Sequence, residues 1–192
     1  MKTPLIPTPA PVLPVHRRIT SLTALTVAVL IPGIPAFADN LYWGGAAASP
    51  WTTPENWFTD ATGETASSAA PTISDNLFFN TTANTANGQV SIASNVAAAS
   101  LTFNSPGTMR LSQTTNSNRV LTLGASGITL NSGAGAVQLG ESSGSLSVQT
   151  TASQTWTNNS TAGLTVRSPS VSNTATCNVT LTLNASSTGA IK

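Results

Sequence analysis

Cysteine is almost absent from this chain: Cys177 is the single one in 192 residues. That excludes an internal disulfide framework. Cys177 reads as a small buried or half-buried residue of a threonine-rich strand, TATCNVTLTL, and it has no neighbouring second metal ligand. Histidine is equally scarce, with His16 the only imidazole. Charge is scarce as well, at 7% of residues against about 25% in ordinary domains. Lys2, Arg17 and Arg18 lie near the start. From residue 39 onward four basic residues (Arg110, Arg119, Arg167, Lys192) meet six acidic ones (Asp39, Glu55, Asp60, Glu64, Asp75, Glu141), a formal charge of −2. Nucleic-acid binding needs a dense basic surface that displaces counterions, and four scattered cations do not form one.

Long apolar runs are also missing, apart from one short stretch near the start. A proline-rich leader ends in His16-Arg17-Arg18, and an apolar run follows from Ile19 to about Leu30. Pro32 and Gly33 break it, and Ala36-Phe37-Ala38 fits the small-x-small cleavage rule. The run is shorter than the roughly 20 residues a membrane span needs. Residues 1–38 are therefore expected to be a secretory signal peptide, cleaved after Ala38, with Asp39 the first mature residue. Cleavage removes His16 and leaves no imidazole for acid–base work or metal binding. It also leaves no stable membrane span. The expected location is outside a bacterial cell or on its outer surface.

What the mature chain does contain is short alternating segments. Most of SLTF (100–103), MRL (109–111), VLTL (120–123), ITL (128–130), VQL (137–139), LSV (146–148), QTW (154–156), LTV (164–166) and VTLTL (179–183) alternate apolar and polar residues. This is the period-2 mark of a strand with one buried face. Ile128, Val137 and Leu146 follow one another at intervals of nine residues. Gly, Asn and Ser fill the turns between them. Strands this short and this evenly spaced favour a β-solenoid over an antiparallel β-sandwich, the alternative all-β fold. A third reading, a disordered low-complexity linker, sits poorly with the alternation and with a mean hydropathy of +0.10. Two strands with their turns predict a coil of 18 to 20 residues. In such a stack Thr, Ser and Asn form ladders at about 4.8 Å per coil. Stacked like charges would repel, which accounts for their rarity. The expected organisation is a lead-in and capping segment over 39–89 and solenoid repeats over 90–192.

Two groups of residues resemble the secreted proteins that carry autotransporter-associated β-strand repeats. One is Trp51-Thr-Thr-Pro-Glu-Asn56-Trp57 followed by Pro71, Asp75 and Leu77-Phe78-Phe79. The other is SLTF with LTLGASGITLNSGAGAV and SQTWTNNS. The resemblance covers most of residues 41–192. It implies a right-handed parallel β-helix passenger, secreted or displayed on the outer surface, with structural or adhesive work. Such proteins commonly continue through many more repeats into an outer-membrane β-barrel or a sorting tail. This sequence shows neither, so a segment truncated on its C-terminal side is expected, with end-to-end self-association at the uncapped end.

The candidate chemistry is thin. Glu55, Asp60, Glu64 and Asp75 fall close together in sequence, and paired carboxylates serve glycoside hydrolysis. They read more simply as solvated loop acids or turn caps, and Glu141 has no acidic neighbour. Arg110, Arg119 and Arg167 have no acids clustered around them, as lyase chemistry would need. No aspartate follows Asp75, so the glycine-aspartate repeat of calcium-bound solenoids is absent. No catalytic, cofactor-binding or metal-binding residue is assigned, and no cofactor is expected. Trp43, Trp51 and Trp57 are the candidate carbohydrate contacts, as a platform for sugar rings. Their competing reading is a cap over the first coil, with Phe58, Leu77, Phe78 and Phe79. The expected partners are surface glycans or neighbouring cell surfaces.

Overall fold

The structure is a computed structural model that describes residues 38–81, 88–113, 118–141, 146–167, 171–173, 180–185 and 188–192. The expected signal peptide up to residue 37 and Cys177 lie outside the described residues. Apart from a 3-10 turn at Pro54–Asn56, the regular structure described is all strand. The larger of two sheets holds β1 (Asn40–Trp43), β3 (Trp57–Phe58), β4 (Asn76–Phe79), β6 (Val96–Phe103), β8 (Arg119–Leu130), β10 (Leu146–Thr150), β11 (Gln154–Asn158), β13 (Val171–Asn173) and β14 (Leu181–Ala185). The smaller holds β2 (Ser49–Pro50), β5 (Gly88–Ser91), β7 (Met109–Ser112), β9 (Val137–Leu139) and β12 (Leu164–Val166).

Strand pairing within both sheets is parallel, except between β1 and β3. Parallel neighbours far apart in sequence define a β-helix, and the antiparallel sandwich is thereby excluded. The register also gives the coil length. Leu101 lies opposite Ile128, Ile128 opposite Trp156, and Trp156 opposite Leu183, at intervals of 27, 28 and 27 residues. Leu111 and Leu139 are 28 apart, and Leu121 and Val148 are 27 apart. The expected coil of 18 to 20 residues is therefore too short. Each circuit carries three strands, not two, at about nine residues apiece. One wall runs through β1, β4, the second half of β6, the second half of β8, β11 and β14. The small sheet is the second wall. The first halves of β6 and β8, with β10 and β13, form the third.

β6 and β8 each turn the corner between the third and first walls without a break in the strand. Ala98 pairs with Leu123 and Ser100 with Gly127, so Ala99 faces three residues of β8, Gly124, Ala125 and Ser126. Ala125 and Ser126 bulge outward and are exposed. Gly127 brings the chain back at φ 70°, a conformation that costs glycine nothing sterically.

Alternation places the apolar residues inside. Leu77, Leu101, Ile128 and Trp156 form one buried column, and Phe79, Phe103 and Leu130 form the next. The Phe79 and Phe103 rings stack at 4.6 Å and 12°. Val90, Leu111 and Leu139 line the second wall, and Val96, Leu121 and Val148 the third. Each such side chain contributes about 1.5–3 kcal/mol by leaving water. The expected polar ladders are present too. Asn76 Nδ2 donates to Asn40 Oδ1 at 3.3 Å, Ser100 Oγ to Asn76 Oδ1 at 2.9 Å, and Asn131 Nδ2 to Asn104 Oδ1 at 2.6 Å.

Residues 39–89 supply β1 to β4 and the start of β5, so they build coil as well as covering it. β3 lies antiparallel on the outer edge of β1, pairing Phe58 with Tyr42 and Trp57 with Trp43. Ala66 bridges Phe58 from the other side, again antiparallel. Beneath this cover Trp57 meets Trp43, Trp51 and Phe79 edge-on, with centroids 5.0, 5.2 and 5.8 Å away.

Candidate functional site

The three N-terminal tryptophans are core residues. Trp43, Trp51 and Trp57 are 2%, 1% and 0% exposed. Trp57 Nε1 donates to the Trp51 carbonyl at 2.7 Å, which fixes the ring inside the cluster. Stacking a sugar requires an open indole face, and none of these three rings offers one. The platform expectation is corrected on that ground: the rings fill the first coil, because indole supplies the largest apolar area available to close it. Trp51 borders a cleft of about 310 Å³ beside Pro71, Val96 and Thr122, yet its ring stays covered.

The outward side of the first wall is a different surface. Strand alternation points Tyr42, Phe78, Thr102, Thr129, Thr157 and Asn184 away from the core, in one row of paired positions. A second row holds Asn40, Asn76, Ser100, Gly127, Thr155 and Thr182. Successive members are about 4.8 Å apart along the stack. Tyr42 and Phe78 are half-buried and stack at 4.9 Å and 19°. The two rows contain hydroxyls, amides and this aromatic pair, and no charged side chain. The sequence reading expects such ladders but does not place their members or single out this wall. Their signal is the motif Thr-x-Asn-Ser at Thr102–Ser105, Thr129–Ser132 and Thr157–Ser160, repeated after 27 and 28 residues.

The carboxylates of Asp75, Asp60 and Glu141 are engaged in structural contacts. Asp75, 6% exposed, accepts the Asp39 N–H at 3.1 Å, the Thr72 N–H at 2.7 Å and the Thr72 hydroxyl at 2.8 Å. Asp60 closes a loop by accepting the Thr62 hydroxyl and the N–H groups of Gly63, Glu64 and Thr65. The Thr62 hydroxyl, followed by the backbone N–H groups of Glu64 and Thr65, holds the Asp60 carboxyl well below the usual carboxylate range. A group whose folded proton affinity is lowered stabilises the fold above its unfolded value of about 3.9, and that contribution is lost as pH falls through the folded value. The urea midpoint is therefore expected to decline as pH is taken from about 5 to about 2, with Asp60→Asn flattening part of the slope. A variant slope identical to the parent's would contradict this assignment. Glu55 and Glu64 are exposed. Glu141 pairs with Arg110 at 3.4 Å, both partly exposed.

Among the described residues, no group of three or more His, Cys, Asp or Glu side chains is placed to hold a metal ion. Arg167 is exposed, and the Arg119 guanidinium donates to the Asn118 carbonyl at 3.5 Å. The structure does not bring Arg110, Arg119 and Arg167 into ion pairs with an acid cluster; the one ion pair described is Arg110–Glu141. The corner between β8 and β11 opens a shallow depression of about 420 Å³, lined mainly by Ser126, Ser153, Thr155, Thr180 and Thr182. It contains hydroxyls and no titratable group. Among the described residues no helix is long and apolar enough to cross a membrane. Comparison with known proteins found no matching family model, no matching curated protein and no matching solved structure.

Proposed function

We propose that this chain is a secreted or surface-displayed β-helix segment with structural and adhesive work and no catalysis, of the autotransporter-associated repeat type. The observation that carries the reading is the outward side of the first wall. It is a repeating, uncharged array of hydroxyls and amides on a rigid parallel sheet. Such an array hydrogen-bonds neutral, hydroxyl-rich partners such as surface glycans at many weak points. Each point contributes little, and avidity along the stack supplies the rest. The engaged state of Asp60, Asp75 and Glu141 supports a scaffold role for these acids.

The test displays the full chain on a bacterium and measures retention on immobilised neutral polysaccharides. Retention is expected, with no new reducing ends released. Replacing Thr102, Thr129 and Thr157 together by Arg is expected to reduce retention at least tenfold, because three stacked cations repel one another and displace the hydroxyls. The reading fails if the triple variant, shown folded by circular dichroism, binds as well as the parent. It also fails if the parent cuts polysaccharide and Asp75→Asn or Glu141→Gln stops the cutting.

A further inference from the structure

Asp75 receives three donors, and they differ in origin. The Thr72 N–H and hydroxyl are three residues away and close a turn. The third donor, the Asp39 N–H, comes from 36 residues away. Asp39 is also held on its other side, since its carbonyl accepts the Asn76 N–H at 2.8 Å. Residue 39 is thus pinned through both backbone groups against the rung that β4 begins. Ala38 and Asp39 themselves are exposed, which leaves the bond between them open to a protease. That bond is also the cleavage point marked by Ala36-Phe37-Ala38.

We propose that Asp75 is the built-in receptor for a new N-terminus generated between Ala38 and Asp39; the proposal rests on the export reading. Hydrolysis consumes one water. The Ala38–Asp39 C–N bond breaks, the leader departs with a carboxylate on Ala38, and Asp39 keeps the nitrogen as an α-amine. That amine takes up a proton at neutral pH, because a free α-amine titrates at about 7.7–8.0. A neutral amide N–H facing a buried carboxylate becomes an ammonium facing it. The contact changes from an ordinary hydrogen bond to a charge-assisted one, roughly twice as strong. The nitrogen sits at the exposed end of the chain, so its remaining protons stay in water and the desolvation cost of a buried pair is largely avoided. Processing would then tighten the first rung after export.

Export of the full chain from a bacterial host, followed by intact-mass measurement, gives the first residue of the released protein. The expected residue is Asp39. The released chain then carries two amines, the α-amine and the Lys192 side chain, so acetylation can be followed site by site with Lys192 as internal standard. The α-amine is expected to acetylate about tenfold more slowly in the native protein than in urea, the change that one unit of raised proton affinity produces. Asp75→Asn, checked for folding by its urea transition, is expected to abolish that protection. If that variant does not fold, the native-against-urea comparison in the parent decides alone. A release product starting at Asp39 whose α-amine reacts equally fast in both states overturns the receptor and leaves the export reading standing. A product starting elsewhere, or no release, overturns both.

Discussion

Gly127→Ala is expected to destabilise the protein by about 2–4 kcal/mol, a large part of the 5–15 kcal/mol that holds a typical domain folded. Two costs add. At φ 70° any residue with a Cβ adopts the left-handed region, at about 1–2 kcal/mol. That Cβ would also lie 2.2 Å from the Thr155 carbonyl oxygen of the next coil, so the two rungs must part. The new side chain also restricts the unfolded chain, which returns about 0.4–1 kcal/mol. Gly133→Ala separates the two costs. Gly133 has φ 83°, and an added Cβ there meets nothing within 4 Å, so about 1 kcal/mol is expected. Urea denaturation of the two variants measures the difference. Equal losses would mean that the corner of β8 does not approach the next coil as closely as described.

Trp57→Ala is expected to cost about 3–5 kcal/mol, the range for emptying a large aromatic site in a packed core. Trp57 is fully buried, touches Trp43, Trp51 and Phe79 edge-on, and bonds the Trp51 carbonyl. Trp57→Phe keeps a ring in the cavity but strands that carbonyl, at about 1–3 kcal/mol. Thermal unfolding followed by circular dichroism should rank the variants in that order. Loss of glycan retention without loss of stability in Trp57→Ala would restore a sugar-binding role for the indoles and remove the capping one.

Much of the architecture is legible in the sequence. The strands at 109–111, 137–139, 146–148 and 164–166 lie within observed ones, because Met, Leu and Val alternate with Arg, Gln, Ser and Thr. The circuit length was not legible from spacing alone. A nine-residue interval is compatible with two, three or four walls, and only the pairing partner of each strand decides. The repeated Thr-x-Asn-Ser carried the answer, since a polar ladder needs equivalent positions one full circuit apart. VLTL and ITL read as two strands because GASG looks like a turn. In the structure it is a corner inside one strand, where Gly127 steps around the bulge of Ala125 and Ser126. The tryptophans were ambiguous for another reason. Large aromatic rings serve equally well as plugs and as platforms, and composition does not distinguish them. Phe78 reads from sequence as part of the cap with Leu77 and Phe79, but strand alternation turns it outward, where it stacks on Tyr42, a residue the sequence leaves unassigned.

The reversed strand β3 bears on how such chains aggregate. Fibrils grow when an incoming chain copies the exposed edge it meets, rung upon identical rung. Here the leading edge presents donors and acceptors in the opposite sense, already engaged by Ala66, so it is a poor template for another solenoid arriving in register. Stacking through this edge, head to head or head to tail, would first have to displace β3 from β1.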